Sequence, residues 1–189
     1  MVYATLPELI STAHTIAEET RATFSSLNAQ QLNWKPAPEK WSVGQCLDHL
    51  LTANGAYFPV FDAILNGTKK SRFWEKVPGL PGFFGKMLIK SVSPDSARKL
   101  KAPKIFQPSA SSVGGDIVQR FLDQQARVVG YLKAAQGVAA EKIILTSPVA
   151  SFVTYSLLDA CRVIVAHEQR HLLQARRVMA VPGFGGSPA

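Results

Sequence analysis

The sequence predicts an all-α protein, a four-helix bundle with a long crossover between its second and third helices. Three observations carry this reading. Four segments repeat apolar residues at helical spacing. Between the second and third lies a stretch, about 68–112, broken by prolines and glycines and too long for a turn between antiparallel neighbours. The last segment carries His167 and His171 on its apolar row, where a site in a bundle core would be built.

The first helix is expected from about Leu6 to Leu27. Leu9, Ile10, Ala13, Ile16, Ala17, Thr20 and Phe24 form its stripe, and Pro7 falls in the first turn, where proline is tolerated. His14 lies off that stripe and reads as a surface histidine. The run Asn33 to Trp41 holds Pro36 and Pro38 and reads as an extended connector. Ser42 with Gln45 is a capping-box pattern that starts a second helix, which reaches Leu65 before Asn66-Gly67. Its rows Val43, Leu47, Leu50, Asn54, Tyr57, Phe61 and Cys46, His49, Ala53 cover much of the circumference, so the helix is largely buried and His49 faces protein. Within the crossover a short helix is expected from about Gly82 to Ser91. A third long helix runs from about Gly114 to Ala135, with Ile117, Phe121, Ala126, Val128, Val129 and Leu132 inward. Gly137 to Val153 reads as turn-like. The fourth helix runs from about Thr154 to Met179, with Ala160, Ile164, His167, His171, Gln174 and Val178 on one row.

At 189 residues, 47% hydrophobic and 18% charged, the chain is long and apolar enough for one domain spanning 1–189 and too apolar for disorder. No signal peptide and no apolar run of membrane-spanning length is present, which points to the cytoplasm. Cys46 and Cys161 make no disulfide framework. Both read as small buried hydrophobes, with the alternative that Cys46, three residues before His49, approaches a metal. Between Lys69 and Lys104 ten basic residues face only Glu75 and Asp95, which accounts for the whole net charge of +8. Such a stretch is either a solvated connector or an attractor of anions. No nucleic-acid motif accompanies it, so no specific nucleic acid is expected.

The chemistry sits in His49, His167 and His171. Histidines four apart on a helix project from one face, and three histidines are the ligand set of a metal site that keeps a position open. Three polar rings in a core without partners would cost about a few kcal/mol each, so a compensating ligand is expected. His-Glu-X-X-His is also the zinc-protease signature. Such proteases need a further ligand downstream, and no histidine, aspartate, glutamate or cysteine follows His171. Glu168 stands to orient bound water, or to pair with Arg170 or a neighbouring helix. Gln174 and Asp48 stand to hydrogen-bond the ligands.

Trp41-Ser-Val-Gly-Gln-Cys-Leu-Asp-His49-Leu50 at the start of one helix, and His167-Glu-Gln-Arg-His171-Leu-Leu-Gln174 near the end, resemble the two signature regions of the DinB-like superfamily. The resemblance covers nearly the whole chain. It implies a bundle of up-down-down-up course, frequent dimers, and a divalent metal, zinc or nickel, held by His49, His167 and His171. It also implies that some relatives transfer low-molecular-weight thiols. The expected function is a metal-dependent transferase of the thiol-transfer type, or a hydrolase, acting on a small anionic or thiol-bearing substrate that the basic crossover draws in. Two alternatives stand beside it. One is a non-catalytic, stress-associated metal-binding module. The other is a peripheral membrane or acidic-partner adaptor using Phe83, Phe84 and the surrounding lysines.

Overall fold

The computed structural model describes residues 3–94, 96, 107–108 and 112–186, and these are mostly helical with a small two-stranded sheet. Arg98, Lys99, Lys101, Lys104, Asp95 and Phe106 of the crossover lie outside the described residues.

Helix α1 spans Leu6–Phe24, and Glu8 Oε2 accepts from the N–H and hydroxyl of Thr5 at 2.7 and 2.8 Å. A short helix the periodicity misses, α2 (Ala29–Asn33), follows because Asn28 and Gln31 cap each other. Ser42 and Gln45 make the expected capping box at the start of α3 (Val43–Gly55). The expected single helix to Leu65 is in fact two. Pro59 has no N–H for the Gly55 carbonyl and its ring would press on that carbonyl, so α3 stops. The chain restarts as α4 (Phe58–Leu65) with Pro59 in its first turn.

The described part of the crossover holds more helix than its prolines suggest. A 3-10 turn spans Phe73–Lys76, and α5 runs over Leu80–Val92 with Pro81 in its first turn. The third long helix, α6, begins at Ile117 and ends at Ala135. Ala126, expected inward, is exposed, and its neighbour Gln125 is buried instead. Gln125 continues the row through Phe121, Val128 and Leu132, where a polar core group recruits it. The segment expected to be turn-like holds two strands, β1 (Ile144–Thr146) and β2 (Thr154–Ser156), paired antiparallel with Leu145 opposite Tyr155. Both of those side chains are fully buried, and the β-branched and aromatic residues around them suit a pleated surface. The last helix, α7 (Leu157–Met179), therefore starts three residues later than its periodicity implied, with Ser156 Oγ accepting from Asp159 N–H at 3.0 Å.

α1 packs against α6 and α7, and α3 packs against the same two helices, so the four close a circuit around one core. Leu9, Ile16 and Phe24 meet Leu47, Leu50, Phe121, Leu132, Ile164 and Leu172 there. α5 lies outside this circuit, on α7 and β2. No described helix is long and apolar enough to cross a membrane.

One close approach secures the start of α3. A Cβ on Gly44 would overlap the Val113 side chain and lie 2.9 Å from the Leu32 carbonyl oxygen. Beside it Val113 N–H donates to Asn33 Oδ1 at 2.7 Å, and Asn33 Nδ2 returns a bond to the Val113 carbonyl at 3.1 Å. Gly44→Ala is therefore expected to destabilise the fold by about 1–3 kcal/mol through overpacking, read as a lower midpoint in urea or thermal unfolding.

Candidate metal centre

His49 stands in the middle of α3, and His167 and His171 stand one turn apart on α7, so the packing of α3 on α7 brings the three together. One nitrogen from each ring falls within 4.8 Å of the others. His49 Nε2 and His167 Nε2 are 3.2 Å apart, and the ring centroids of His171 lie 4.5 Å from both other rings. Nitrogens bound to one tetrahedral ion at about 2.0–2.1 Å would sit about 3.3 Å from each other, a spacing the His49–His167 pair matches and the 4.8 Å bound on all three allows. His171 Nδ1 is buried and has no hydrogen-bond partner among the described residues. Such an orphan inside a cluster of like groups fits a site that holds a cation. The residues present thus fit a divalent metal.

The electrostatics favour the ligand form. Burial, with the neighbouring His171 and His49 rings, holds His167 well below the ordinary histidine range. Burial, followed by His49 and Arg170, brings His171 down to about 3, opposed by a hydrogen bond the ring donates to the Gln174 side chain. Neutral imidazole is the species that coordinates.

Trp41, at the end of the connector, stacks on His171 at 5.6 Å and 21° and lies 5.0 Å from His49. The three histidines and Trp41 line a cavity of about 1010 Å³, into which Gln174 and Tyr57 also project. Tyr57 sits at the α3–α4 break, and its hydroxyl is 2.8 Å from that of Tyr155 on β2. Burial raises the pKa of both phenols. The cations lining the cavity are Lys35, Lys40, Arg170 and Arg177, and Arg170 donates to the carbonyls of Ser91 and Ser93 at 3.0 and 3.3 Å. The crossover contributes Leu88, Ser91, Val92 and Pro94 to the wall, but none of its described lysines or arginines. The basic residues expected to draw in the substrate are therefore, where described, on other surfaces.

Glu168 is not on the cavity wall. It is fully buried on another side of α7, where Oε1 accepts from Asn54 Nδ2 at 2.7 Å and Oε2 from Gln125 Nε2 at 3.0 Å. Gln125 Nε2 also donates to the Ala13 carbonyl at 3.2 Å, so the group spans α1, α3, α6 and α7. Burial raises the Glu168 pKa to about 8, against the pull of its two hydrogen bonds. The surface pair with Arg170 is thereby overturned, and the contact is with neighbouring helices. Cys46 is fully buried, its thiol pushed up to about 12 by burial, and the metal-sized cluster comprises the three histidines without it. Cys161 is likewise a free, buried thiol. His14 is exposed on α1. Asp48 is half-buried and does not line the cavity. Sequence reasoning missed Trp41, Tyr57, Arg170 and the Asn54–Gln125 pair. Trp41 was visible just before the capping box, whereas a buried glutamine on α6 has no local signal.

Fold and site define a mostly helical protein with a histidine cluster of metal-binding dimensions between two packed helices. The chain belongs to the DinB superfamily, whose model matches residues 13–175. It is 26% identical over 160 residues to a Bacillus subtilis (strain 168) protein described as "Uncharacterized protein YuaE", a match covering 85% of this chain and 90% of that relative. No solved structure matches the chain significantly.

The placement of Glu168 has a measurable consequence. Asn54→Ala leaves one carboxylate oxygen without its donor, and Glu168→Ala leaves two donors without an acceptor. Each is expected to lower the unfolding free energy by about 1–3 kcal/mol per orphaned group, while Asn54→Ala keeps the wild-type metal content. Urea titration and elemental analysis of both variants check this, and an Asn54→Ala protein as stable as wild type would show the network to be idle.

Proposed function

We propose that His49, His167 and His171 hold one divalent metal ion, zinc or nickel, and that the protein is a metal-dependent transferase of the thiol-transfer type or a hydrolase. Its substrate is a small molecule bearing an anionic or thiol group. The observation that carries this reading is the convergence of three imidazoles, two of them held neutral, on the wall of a cavity of about 1010 Å³. That volume suits a small ligand. An ion held by three neutral imidazoles retains its charge and an open position, where water or a thiol gives up its proton near neutral pH.

The chain's own groups divide the remaining work. Trp41 fixes the plane of the His171 ring by stacking on it. Lys35, Lys40 and Arg177 line the cavity and favour an anionic substrate. Arg170, through the Ser91 and Ser93 carbonyls, ties the end of α5 to α7 beside the histidines. The circuit of α1, α6, α3 and α7 supports a single four-helix-bundle domain of up-down-down-up course, and we place the protein in the cytoplasm.

A metal-binding module without turnover is the second reading. It is favoured by the position of Glu168, which leaves Glu39 as the one carboxylate among the described residues of the cavity wall. Glu39 lies 3.9 Å from Lys40 and is largely exposed.

Elemental analysis of tag-free protein tests the shared premise. Wild type is expected to carry near-stoichiometric zinc or nickel. His49→Ala and His167→Ala should lose it, with affinity falling by more than the roughly 10–100-fold that loss of an outer hydrogen-bond partner costs. A folded, metal-free wild type that refuses both metals would remove the site and both readings with it. With metal present, cellular thiols offered together with an electrophilic acceptor separate the two. A rate that vanishes on chelation supports the transferase, and no metal-dependent rate with any thiol or with hydrolysable ester, amide and phosphate substrates supports the module.

A further inference from the structure

Of the eight strongly exposed large hydrophobic side chains among the described residues, six lie in one neighbourhood: Phe73, Trp74, Phe83, Met87, Val149 and Phe152. Phe73 and Phe83 are 73% and 63% exposed, so they stand out from the surface rather than lie along it. The elements that carry them touch. The 3-10 turn packs on β1, β2 and α5, and α5 packs on β2. Ring contacts run from Phe83 to Phe84 at 5.5 Å and from Phe84 to Phe152 at 6.3 Å, with Phe73 against Trp74 at 5.3 Å.

Helix α5 shows how the face is held. Its inner side is anchored where Gly85 meets the Asp159 side chain so closely that a Cβ would overlap it, and Ile89 is fully buried. Phe83, Lys86, Met87 and Lys90, at positions i, i+3, i+4 and i+7, are all exposed on the opposite side. Lys70, Arg72 and Lys76 are exposed beside them. Among the described residues none of these five bases is in an ion pair. The single acidic residue in the described part of 66–94 is Glu75, which is buried and bound by Lys69 and by Thr146 Oγ1. The stretch 143–156 has no acidic residue at all.

We propose that this face, formed by the 3-10 turn, the outer side of α5 and the 149–152 loop, docks the protein on an anionic lipid surface. Protruding aromatic and methionine side chains enter the interfacial zone while the interleaved lysines and arginines meet the headgroups. Charge decides the occupant. A second copy on a two-fold axis would bring these bases against themselves with no exposed carboxylate among the described residues of the face to answer them. A deformable anionic surface accepts both the protruding rings and the charge. Val149 belongs to this face and to the cavity wall, so docking holds the edge of the cavity at the lipid. The docking face is independent of whether the histidines bind metal.

Cosedimentation tests it, using wild-type protein with vesicles of phosphatidylcholine alone or of equal parts phosphatidylcholine and phosphatidylglycerol. Binding is expected to the anionic vesicles at low ionic strength and to be lost near 1 M salt, where the Debye length is about 3 Å. Lys86→Glu/Lys90→Glu is expected to weaken binding by more than about tenfold, from two reversed charges. Phe73→Ser/Phe83→Ser/Phe152→Ser should weaken it comparably, with circular dichroism like that of wild type. Tryptophan emission of the wild type should shift to the blue on binding, and Trp74→Phe should lose that shift. Absence of binding to anionic vesicles at low ionic strength overturns the proposal, as does equal binding by the charge-reversed variant. Self-association of the wild type that the serine variant abolishes, without vesicle binding, overturns it in favour of an interface between copies.

Discussion

The register of α3 against α7 is the constraint on which the rest depends, and a buried carboxyl group sets it. Glu168 gives up its hydration entirely, a cost the fold tolerates only because Asn54 and Gln125 both donate to it. Asn54 lies five residues beyond His49 on α3, about 7.5 Å along the axis, and Glu168 is next to His167 on α7. Sliding either helix by a turn would part the carboxyl from its donors and the histidines from one another. The polar clamp and the histidine cluster therefore share a register, with Glu168 and Gln125 on the core side, the histidines on the cavity side, and Asn54 touching both.

Crowding the imidazoles has its own consequence. His49 opposes a proton on both His167 and His171, His171 opposes one on His167, and burial opposes charge on both, so those two rings are poised as neutral donors of lone pairs. The indole of Trp41 restricts the His171 ring without supplying a hydrogen bond to its Nδ1. A cluster of neutral acceptors in which one nitrogen has no partner among the described residues suits a cation, which an apolar core of the same volume would not.

How much of this was legible in the sequence follows the range of the interaction concerned. The capping box at Ser42, the start of α1 at Leu6 and the inward row through His167 and His171 are local patterns, and all appear in the structure, whereas α1 ends at Phe24, three residues before the expected Leu27. Pro59 was equally visible, yet the apolar rows running through it outweighed the missing N–H, and one expected helix became two. The β1–β2 pair escaped notice because each strand has three residues, too few to show a period. Ala126 was placed inward by its apolarity alone. Gln125 takes that place because Glu168, 43 positions away, needs a donor, and no window along the chain contains both. The three histidines were legible as a set through their spacing and rows. Their common cavity, with Trp41 and Arg170 on its wall, arises only when the connector, α3 and α7 are packed together.

The charge distribution shows the same division between composition and placement. By composition the excess positive charge belongs to 69–104, which left a solvated connector, a funnel for an anionic substrate and a membrane or acidic-partner surface as its readings. In the fold five of the six described cations of that stretch are exposed around protruding aromatics and Lys69 binds buried Glu75, while the cavity takes its own from the connector and α7. A solvent-exposed charge acts over about 8 Å at physiological salt, so recognition inside the cavity rests chiefly on the four cations that line it. The outward set is free to answer a different partner, and the two roles can be altered separately: reversing Lys86 and Lys90 acts on the surface, whereas neutralising Lys35, Lys40 or Arg177 acts on whatever enters the cavity. That separation is what lets α5 serve both, with Leu88, Ser91 and Val92 toward the histidines and Phe83, Lys86 and Met87 toward the outside.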